Sequence, residues 1–261
     1  TFRNLLLHGC GRHGLALVPE AAHGRNPFQN QVGGGAGLGN EIRDNAQWGI
    51  YAEVNPAFGT GSALNRFEGN RVGWSATDPG GAHGNDAGGL AIVNARGNIV
   101  GTTDPAYGNR LSGNGGAGLL LYGSEARENA VVGNFVGLVD SSGLWQAKAN
   151  GEGIALDAGA HDNQIGGTAA GSGNFVSLNL GAGMRLANNS DSNLVRANWI
   201  GLAPNGTTAG NGGDGVRIES ASSQNLVAGN VISANGGAGV RIDGVATDSN
   251  ALDANLIGVD P

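Results

Sequence analysis

Apolar residues recur along the chain in short groups that follow closely spaced glycines. The recurring block has the form Gly-x-Gly-apolar-x-apolar. Alternation of apolar and polar residues is typical of a half-buried strand, and no apolar stripe with the period of a helix is visible. Full copies occupy residues 181–186, 213–218 and 237–242, and looser copies contain Gly14, Gly49, Gly89, Gly118 and Gly153. The pattern predicts many short β-strands and almost no helix.

A second block, Asn-x-[Leu/Val]-x-x-Asn-x-[Ile/Val], lies between copies of the first. It occupies residues 193–200, 225–232 and 250–257. Asparagine tolerates the left-handed backbone conformation, and its side chain hydrogen-bonds nearby backbone, so these residues suit bends. Equivalent asparagines of successive copies, Asn198, Asn230 and Asn255, are expected to form a ladder of amide hydrogen bonds.

The spacing of the copies predicts the architecture. The last two anchoring glycines, Gly215 and Gly239, are 24 residues apart, and the other intervals are longer. Three apolar groups fall within this interval, which gives three short strands per turn. A strand triplet that repeats at this period buries its apolar side chains only when copies stack. We therefore predict an all-β, single-stranded right-handed parallel β-helix, a solenoid of about eight rungs, since parallel crossovers are almost always right-handed.

The longer intervals contain insertions, which we place after the strand that ends Asn-x-[Ile/Val]-Gly. They span residues 73–88, 101–117, 137–152 and 201–214. Insertions in solenoids collect on one face, which is often the binding face, so we expect one face to carry the loops. Their Asp-Pro and Asn-Gly pairs are typical of turns, and hairpin-like decoration is the alternative interpretation.

The segment from Ile200 to Pro204, followed by Gly-Asn-Gly-Gly-Asp-Gly-Val-Arg-Ile at residues 210–218, carries a resemblance. It resembles the right-handed parallel β-helix repeats of large bacterial secreted and surface proteins. The resemblance covers nearly all of the chain and is best from about residue 90 onward. It implies the same fold as pectate lyases, polygalacturonases and alginate epimerases, but a shared fold does not determine an activity.

We expect residues 1–261 to form a single β-helix domain. Solenoids need polar or amphipathic capping units, and neither the start around Asn4 nor residues 255–261 resembles one. The sequence therefore predicts a segment of a longer repeat array. The alternative is end-to-end stacking into a fibre, because open strand edges are templates for pairing.

Composition narrows the class of partner. The chain has 51 glycines, a net charge of −7 and a pI of about 5.1, and its 14 basic residues form no run. Phosphate binding by nucleic-acid-binding proteins needs a basic face, so no nucleic-acid partner is expected. No apolar stretch is long enough to span a membrane. The single Cys10 has no internal disulfide partner.

The middle x of the glycine block points outward, which predicts two charged rows on one sheet. The basic row contains Arg185, Arg217 and Arg241. The matching outward positions two residues further along are Ala187, Glu219 and Asp243, with Asp157 one rung before Ala187, and they form the acidic row. Such a face would bind an acidic polysaccharide or Ca²⁺. The alternative is a solvated face of exposed ion pairs, each of which contributes little.

Aromatic residues in the insertions suggest a surface on which sugars stack. Trp74, Tyr107 and Trp145 lie in these segments. The alternative is that each aromatic ring packs locally against its own loop.

No catalytic residue is predicted, because the paired carboxylates of polysaccharide hydrolysis are missing and no Asp-Asp pair occurs. His83 and His161 have nearby carboxylates but lie in glycine-rich surface segments. We predict no cofactor. Ca²⁺ is the alternative, because residues 212–215 partly match a calcium-binding repeat and four aspartates hold similar places in the insertions. They are Asp78, Asp104, Asp140 and Asp260.

These observations favour a structural or adhesive rod of a secreted or cell-surface bacterial protein, whose loops bind glycans or other surfaces. The partners expected are polysaccharides or other surface ligands, together with end-to-end copies of the chain. One alternative is a carbohydrate-active enzyme, a lyase, hydrolase or epimerase acting on acidic polysaccharide. The other alternative is a fibre-forming solenoid. An extracellular or cell-surface location follows from the resemblance.

Overall fold

The chain winds into a parallel β-helix. The structure, a computed structural model, describes residues 1–35, 37–59, 63–78, 80–81, 83–141 and 144–258. Successive strands pass in turn to three parallel sheets, which we call the first, second and third sheets. The first sheet has nine strands, and the second and third have eight each. The predicted all-β solenoid of about eight rungs is confirmed.

The strands are short and align in parallel register from rung to rung. The first sheet contains Leu6–His8, Glu41–Arg43, Arg71–Val72, Arg110–Leu111, Phe135–Val136, Phe175–Val176, Trp199–Ile200, Val231–Ile232 and Leu256–Ile257. The second contains Leu15–Leu17, Trp48–Glu53, Gly88–Val93, Ala117–Tyr122, Glu152–Asp157, Met184–Leu186, Val216–Ile218 and Val240–Ile242. The third contains Gln31–Gly33, Arg66–Glu68, Ile99–Gly101, Ala130–Val132, Gln164–Gly166, Leu194–Arg196, Leu226–Ala228 and Ala251–Asp253.

The connections contain little other regular structure. Three short 3₁₀ helices occupy Ala21–His23, Pro56–Phe58 and Pro105–Tyr107, and one antiparallel hairpin joins Leu138–Ser141 to Leu144–Ala147. In the part of the chain that the structure describes, no helix is long and apolar enough to cross a membrane.

The core is a set of apolar columns that run along the axis of the helix. Inward positions of the second sheet stack in register. One such column is Ile50, Leu90, Leu119, Ile154, Met184 and Val216, and each of these six side chains is at most 1% exposed. Burial of a side chain of this size contributes roughly 1.5–3 kcal/mol. A single rung lacks the neighbours that bury its residues, which is why stability depends on stacking.

Three ladders of buried asparagines line the bends. In each, the side-chain Nδ2 donates to Oδ1 of the next rung at 2.7–3.1 Å. One ladder is Asn40, Asn70, Asn109, Asn134, Asn174, Asn198, Asn230 and Asn255. A second is Asn30, Asn65, Asn98, Asn129, Asn163, Asn193, Asn225 and Asn250. A third is Asn45, Asn85, Asn114, Asn150, Asn179, Asn211 and Asn235. The predicted amide ladder through Asn198, Asn230 and Asn255 is confirmed.

The insertions lie at more than one bend, which differs from the prediction of a single loop-bearing face. Those at 73–88, 137–152 and 201–214 follow first-sheet strands, as expected. The segment 101–117 instead begins after a third-sheet strand and contains the first-sheet strand Arg110–Leu111. The motif Asn-x-[Ile/Val]-Gly also occurs at a third-sheet strand, as Asn98 to Gly101. The motif therefore does not distinguish the bend after the third sheet from the bend after the first sheet.

Candidate functional site

The outward column of the second sheet changes in chemistry along the rod. It contains an aromatic side chain on an early rung, small or apolar side chains in the middle and three arginines at the end. In register order the column is Ala16, Tyr51, Ala91, Leu120, Ala155, Arg185, Arg217 and Arg241. The two polar ends of this sheet face are therefore separate candidate sites.

The charged end is a network of ion pairs centred on Arg185. Its Nε lies 3.1 Å from Glu152 Oε1, and its Nη2 lies 3.0 Å from Asp157 Oδ2. Its Nη1 also lies 3.9 Å from Glu219 on the next rung. Burial lowers the pKa of Arg185, but the two close carboxylates outweigh burial and raise it overall. The guanidinium is thus held by protein carboxylates on several sides.

The network continues to the last rungs in the same manner. Arg217 Nη2 lies 2.6 Å from Glu219 Oε2, and Arg241 Nε lies 2.7 Å from Asp243 Oδ2. A longer contact of 4.0 Å joins Arg217 to Asp243 between rungs. The predicted basic and acidic rows are therefore adjacent and satisfy each other. Their groups are largely engaged, which favours a solvated ion-pair face, and ligand binding by this face stays a prediction.

An open cleft lies at the other end of the second sheet, and we call it the aromatic cleft. Its volume is about 560 Å³. The polar and aromatic residues that line it are Arg12, His13, Gln47, Trp48, Tyr51 and Glu53. Strand Trp48–Glu53 supplies Trp48, Tyr51 and Glu53 to the lining. Tyr51 and Glu53 are two residues apart and therefore face the same side of the sheet, whereas the place of Trp48 does not follow from this alternation.

The rings of His13 and Tyr51 both line the cleft and contact each other. They stack with centroids 4.4 Å apart and planes 10° apart. The backbone N–H of Trp48 donates to His13 Nδ1 at 3.4 Å, which requires a ring without a proton on that nitrogen. Burial, and then the charge of Arg12, lower the pKa of His13. Burial, and then the charge of Glu53, raise the pKa of Tyr51. Both rings are accordingly neutral at pH 7.

The indole of Trp48 lies close to a glycine on the next rung. Trp48 and Gly88 are register partners. A Cβ atom on Gly88 would lie 2.3 Å from the indole ring, much closer than carbon atoms approach without a clash. The absence of a side chain at Gly88 therefore leaves the space that the indole ring of Trp48 occupies.

The aromatic residues predicted from the insertions lie elsewhere. Trp74 is only 5% exposed, so its ring offers no open stacking surface. Trp145 packs on Phe135 with centroids 5.2 Å apart, inside a small apolar cluster outside the first sheet. Tyr107 lines a separate small cavity beside Arg110. For Trp74 and Trp145 the structure shows local packing, which was the alternative interpretation.

The aspartates proposed as a calcium alternative are separated. Asp78 Oδ2 lies 3.1 Å from His83 Nε2. Asp104 Oδ1 accepts a hydrogen bond from the Ala106 N–H at 3.0 Å, as in a turn. Asp140 lies in the hairpin, and Asp260 lies outside the described residues. Over the described ranges, no three His, Cys, Asp or Glu side chains gather as metal ligands would.

Comparison with known proteins adds no family. No protein-family model matches the chain, and no curated protein matches it significantly.

Residues of the aromatic cleft were missed by sequence reasoning, although one signal pointed to them. Tyr51 occupies the same outward position of its glycine block as Arg185 does in a later copy. Following that column toward the start of the chain identifies Tyr51. The contribution of His13 and Trp48 depends on how side chains cross between rungs, which the spacing does not specify.

Proposed function

We propose that the protein is a rod-like scaffold of the cell surface or extracellular space that binds carbohydrate in the aromatic cleft. The observation that carries this proposal is the cleft itself, where aromatic faces and hydrogen-bonding groups converge on one open surface. The repeated core and the asparagine ladders supply a stiff support, because each rung is fixed by the rungs on either side.

The chemistry of the cleft suits a sugar ring. Sugars present apolar C–H faces and a rim of hydroxyl groups. Trp48 and Tyr51 provide aromatic surface, while Arg12, Gln47 and Glu53 provide donors and acceptors at its border. A volume of about 560 Å³ lies within the roughly 300–1,000 Å³ range of small-molecule sites.

The charges of the cleft favour a neutral sugar over an acidic one. Arg12 is the cationic side chain of the lining, and Glu53 is an anionic one. His13 is neutral at pH 7 because its pKa is lowered. Since the two formal charges offset each other, an acidic polymer gains little net attraction here.

The enzymatic alternative has no specific observation in its favour. Hydrolysis of a glycosidic bond ordinarily uses two carboxyl groups separated by about 5–10 Å. Among the described residues, Glu53 is the single carboxylate that lines the aromatic cleft. Binding without turnover is therefore the function that we put forward.

A glycan array followed by isothermal titration calorimetry tests the proposal. Tyr51→Ala should weaken binding of the best array ligand about tenfold or more, because truncating a central aromatic contact costs at least about 1–2 kcal/mol. Phe28→Ala is the matched control, since Phe28 is an exposed aromatic residue outside the cleft. Circular dichroism checks that both variants keep the β-helix.

Two results would contradict the proposal. One is the absence of carbohydrate binding by the unaltered protein across a broad array. The other is binding that Tyr51→Ala and Phe28→Ala reduce to the same extent, because the contact surface would then lie elsewhere.

A further inference from the structure

Two arginines stand side by side on the outer face of the first sheet. Arg71 and Arg110 are register partners on adjacent strands, so their side chains leave the same face one rung apart. Placing two like charges so close is unfavourable unless an opposite charge lies near.

No carboxylate of the described residues lies within 4 Å of either guanidinium, although several other arginines have such a partner. Glu41, the register partner of Arg71 on the preceding rung, is held by Arg43 at 2.9 Å. The arginines with a close carboxylate are Arg43, Arg66, Arg127, Arg185, Arg217 and Arg241. The charges of Arg71 and Arg110 are thus not neutralised by side chains in contact with them.

Both guanidinium groups are held in position by aromatic rings. The Arg110 guanidinium lies 5.0 Å from the centroid of Phe135, and the Arg71 guanidinium lies 5.9 Å from that of Trp74. Arg110 Nη1 also donates to the Gly108 carbonyl at 3.4 Å. Burial, and then the charge of Arg71, lower the pKa of Arg110, and the charge of Asp140 offsets only part of this effect. Each guanidinium therefore has an aromatic ring beside it, which favours its present position.

A small cavity of about 130 Å³ is lined by these two arginines and Tyr107. Gly39 and Gly69 also line this cavity, and their backbones approach so closely that a Cβ on Gly39 would lie 1.8 Å from the Gly69 carbonyl oxygen. A water molecule takes about 30 Å³ of liquid volume, so the cavity has room for a group larger than one water.

We propose that Arg71, Arg110 and Tyr107 form a binding site for a compact oxyanion, namely a carboxylate, sulfate or phosphate group. Guanidinium groups match these anions through paired, charge-assisted hydrogen bonds. Tyr107 lines the same cavity, and its hydroxyl group is a hydrogen-bond donor. The site lies on a different sheet from the aromatic cleft and does not depend on it.

Calorimetric titration with inorganic sulfate at constant ionic strength tests this site. The unaltered protein should bind sulfate, and Arg71→Gln should weaken the affinity about tenfold or more, because one charge-assisted hydrogen-bonding group is lost. Arg196→Gln is the matched control, since Arg196 is exposed on the third sheet. Arg71 is itself exposed, so its replacement should leave the fold intact.

Further titrations locate the contacts and distinguish the source of the anion. Arg110→Lys keeps the positive charge but removes the fork geometry, so it should weaken sulfate binding less than Arg71→Gln does. A sulfated disaccharide that binds more tightly than inorganic sulfate indicates an anion carried on a sugar, whereas equal affinity indicates a free ion. Absence of sulfate binding up to about 10 mM, or equal affinities for Arg71→Gln and Arg196→Gln, would overturn the proposal.

Discussion

Replacement of one buried ladder asparagine should destabilise the whole rod measurably. Asn174 is fully buried, and its Nδ2 donates to the Val131 carbonyl at 2.8 Å and to Asn198 Oδ1 at 2.9 Å. Its Oδ1 accepts from the Asn134 backbone N–H at 3.0 Å and from Asn134 Nδ2 at 2.9 Å. Asn174→Ala therefore removes four hydrogen bonds from one point of the ladder.

The expected loss follows from those four bonds. Each contributes about 1 kcal/mol net, so we expect the free energy of unfolding to fall by about 4 kcal/mol. The Asn134 backbone N–H becomes a buried donor that has lost its acceptor, and this further lowers the free energy of unfolding. The small cavity left by the side chain acts in the same direction.

Urea unfolding followed by circular dichroism measures this loss, with a common slope for all variants. Asn205→Ala is the control, because Asn205 is an exposed asparagine in an insertion. It accepts two exposed hydrogen bonds from Thr207, for which water can substitute, so its replacement should change stability by no more than about 1 kcal/mol. Native-state hydrogen exchange adds a local measurement, since the Asn134 amide should exchange faster in Asn174→Ala. Equal stabilities for the two variants would refute the view that the ladders stabilise the stack.

Three further outcomes test the two ends of the second-sheet face. Gly88→Ala should displace the indole of Trp48, which tryptophan fluorescence and a loss of carbohydrate affinity would report; unchanged fluorescence would contradict the close packing. The pKa of His13 is lowered in the folded state, so below about pH 6.5 the unfolded chain binds the proton more readily than the folded chain. Stability should therefore fall as the pH drops below about 6.5. Thermal melts should show a smaller fall for His13→Gln. Arg185→Met should lower the unfolding midpoint more than Arg241→Met, because the Arg185 side chain is the more buried of the two. The difference between the two midpoints should shrink at high salt. Equal shifts would argue against the ion-pair network.

The repeat made the architecture predictable because its signals are local. Alternation around Val216 and Ile218 fixes which side chains enter the core, and asparagines at fixed offsets mark the bends. Stacking then follows, since no single rung buries these residues alone. The Asn198, Asn230 and Asn255 ladder follows from the same reasoning. The right hand of the coil rests on the resemblance and on the general preference of parallel crossovers.

The features that the sequence did not specify depend on contacts between rungs. Gly101 ends a third-sheet strand with the same signature as first-sheet strands, so the bend that bears its insertion was ambiguous. Trp74 lies in an insertion yet is only 5% exposed, and the Arg71 guanidinium lies 5.9 Å from its ring centroid. The aromatic cleft forms where His13 of one rung stacks on Tyr51 of the next, a contact between residues far apart in sequence.

The most direct test of the proposed function is a crystal structure of the protein soaked with its best array ligand. We predict a sugar ring that contacts Trp48 and Tyr51, with hydroxyl groups hydrogen-bonded to Arg12 or Glu53. A sugar bound on another sheet, with the aromatic cleft occupied only by solvent, would contradict the account.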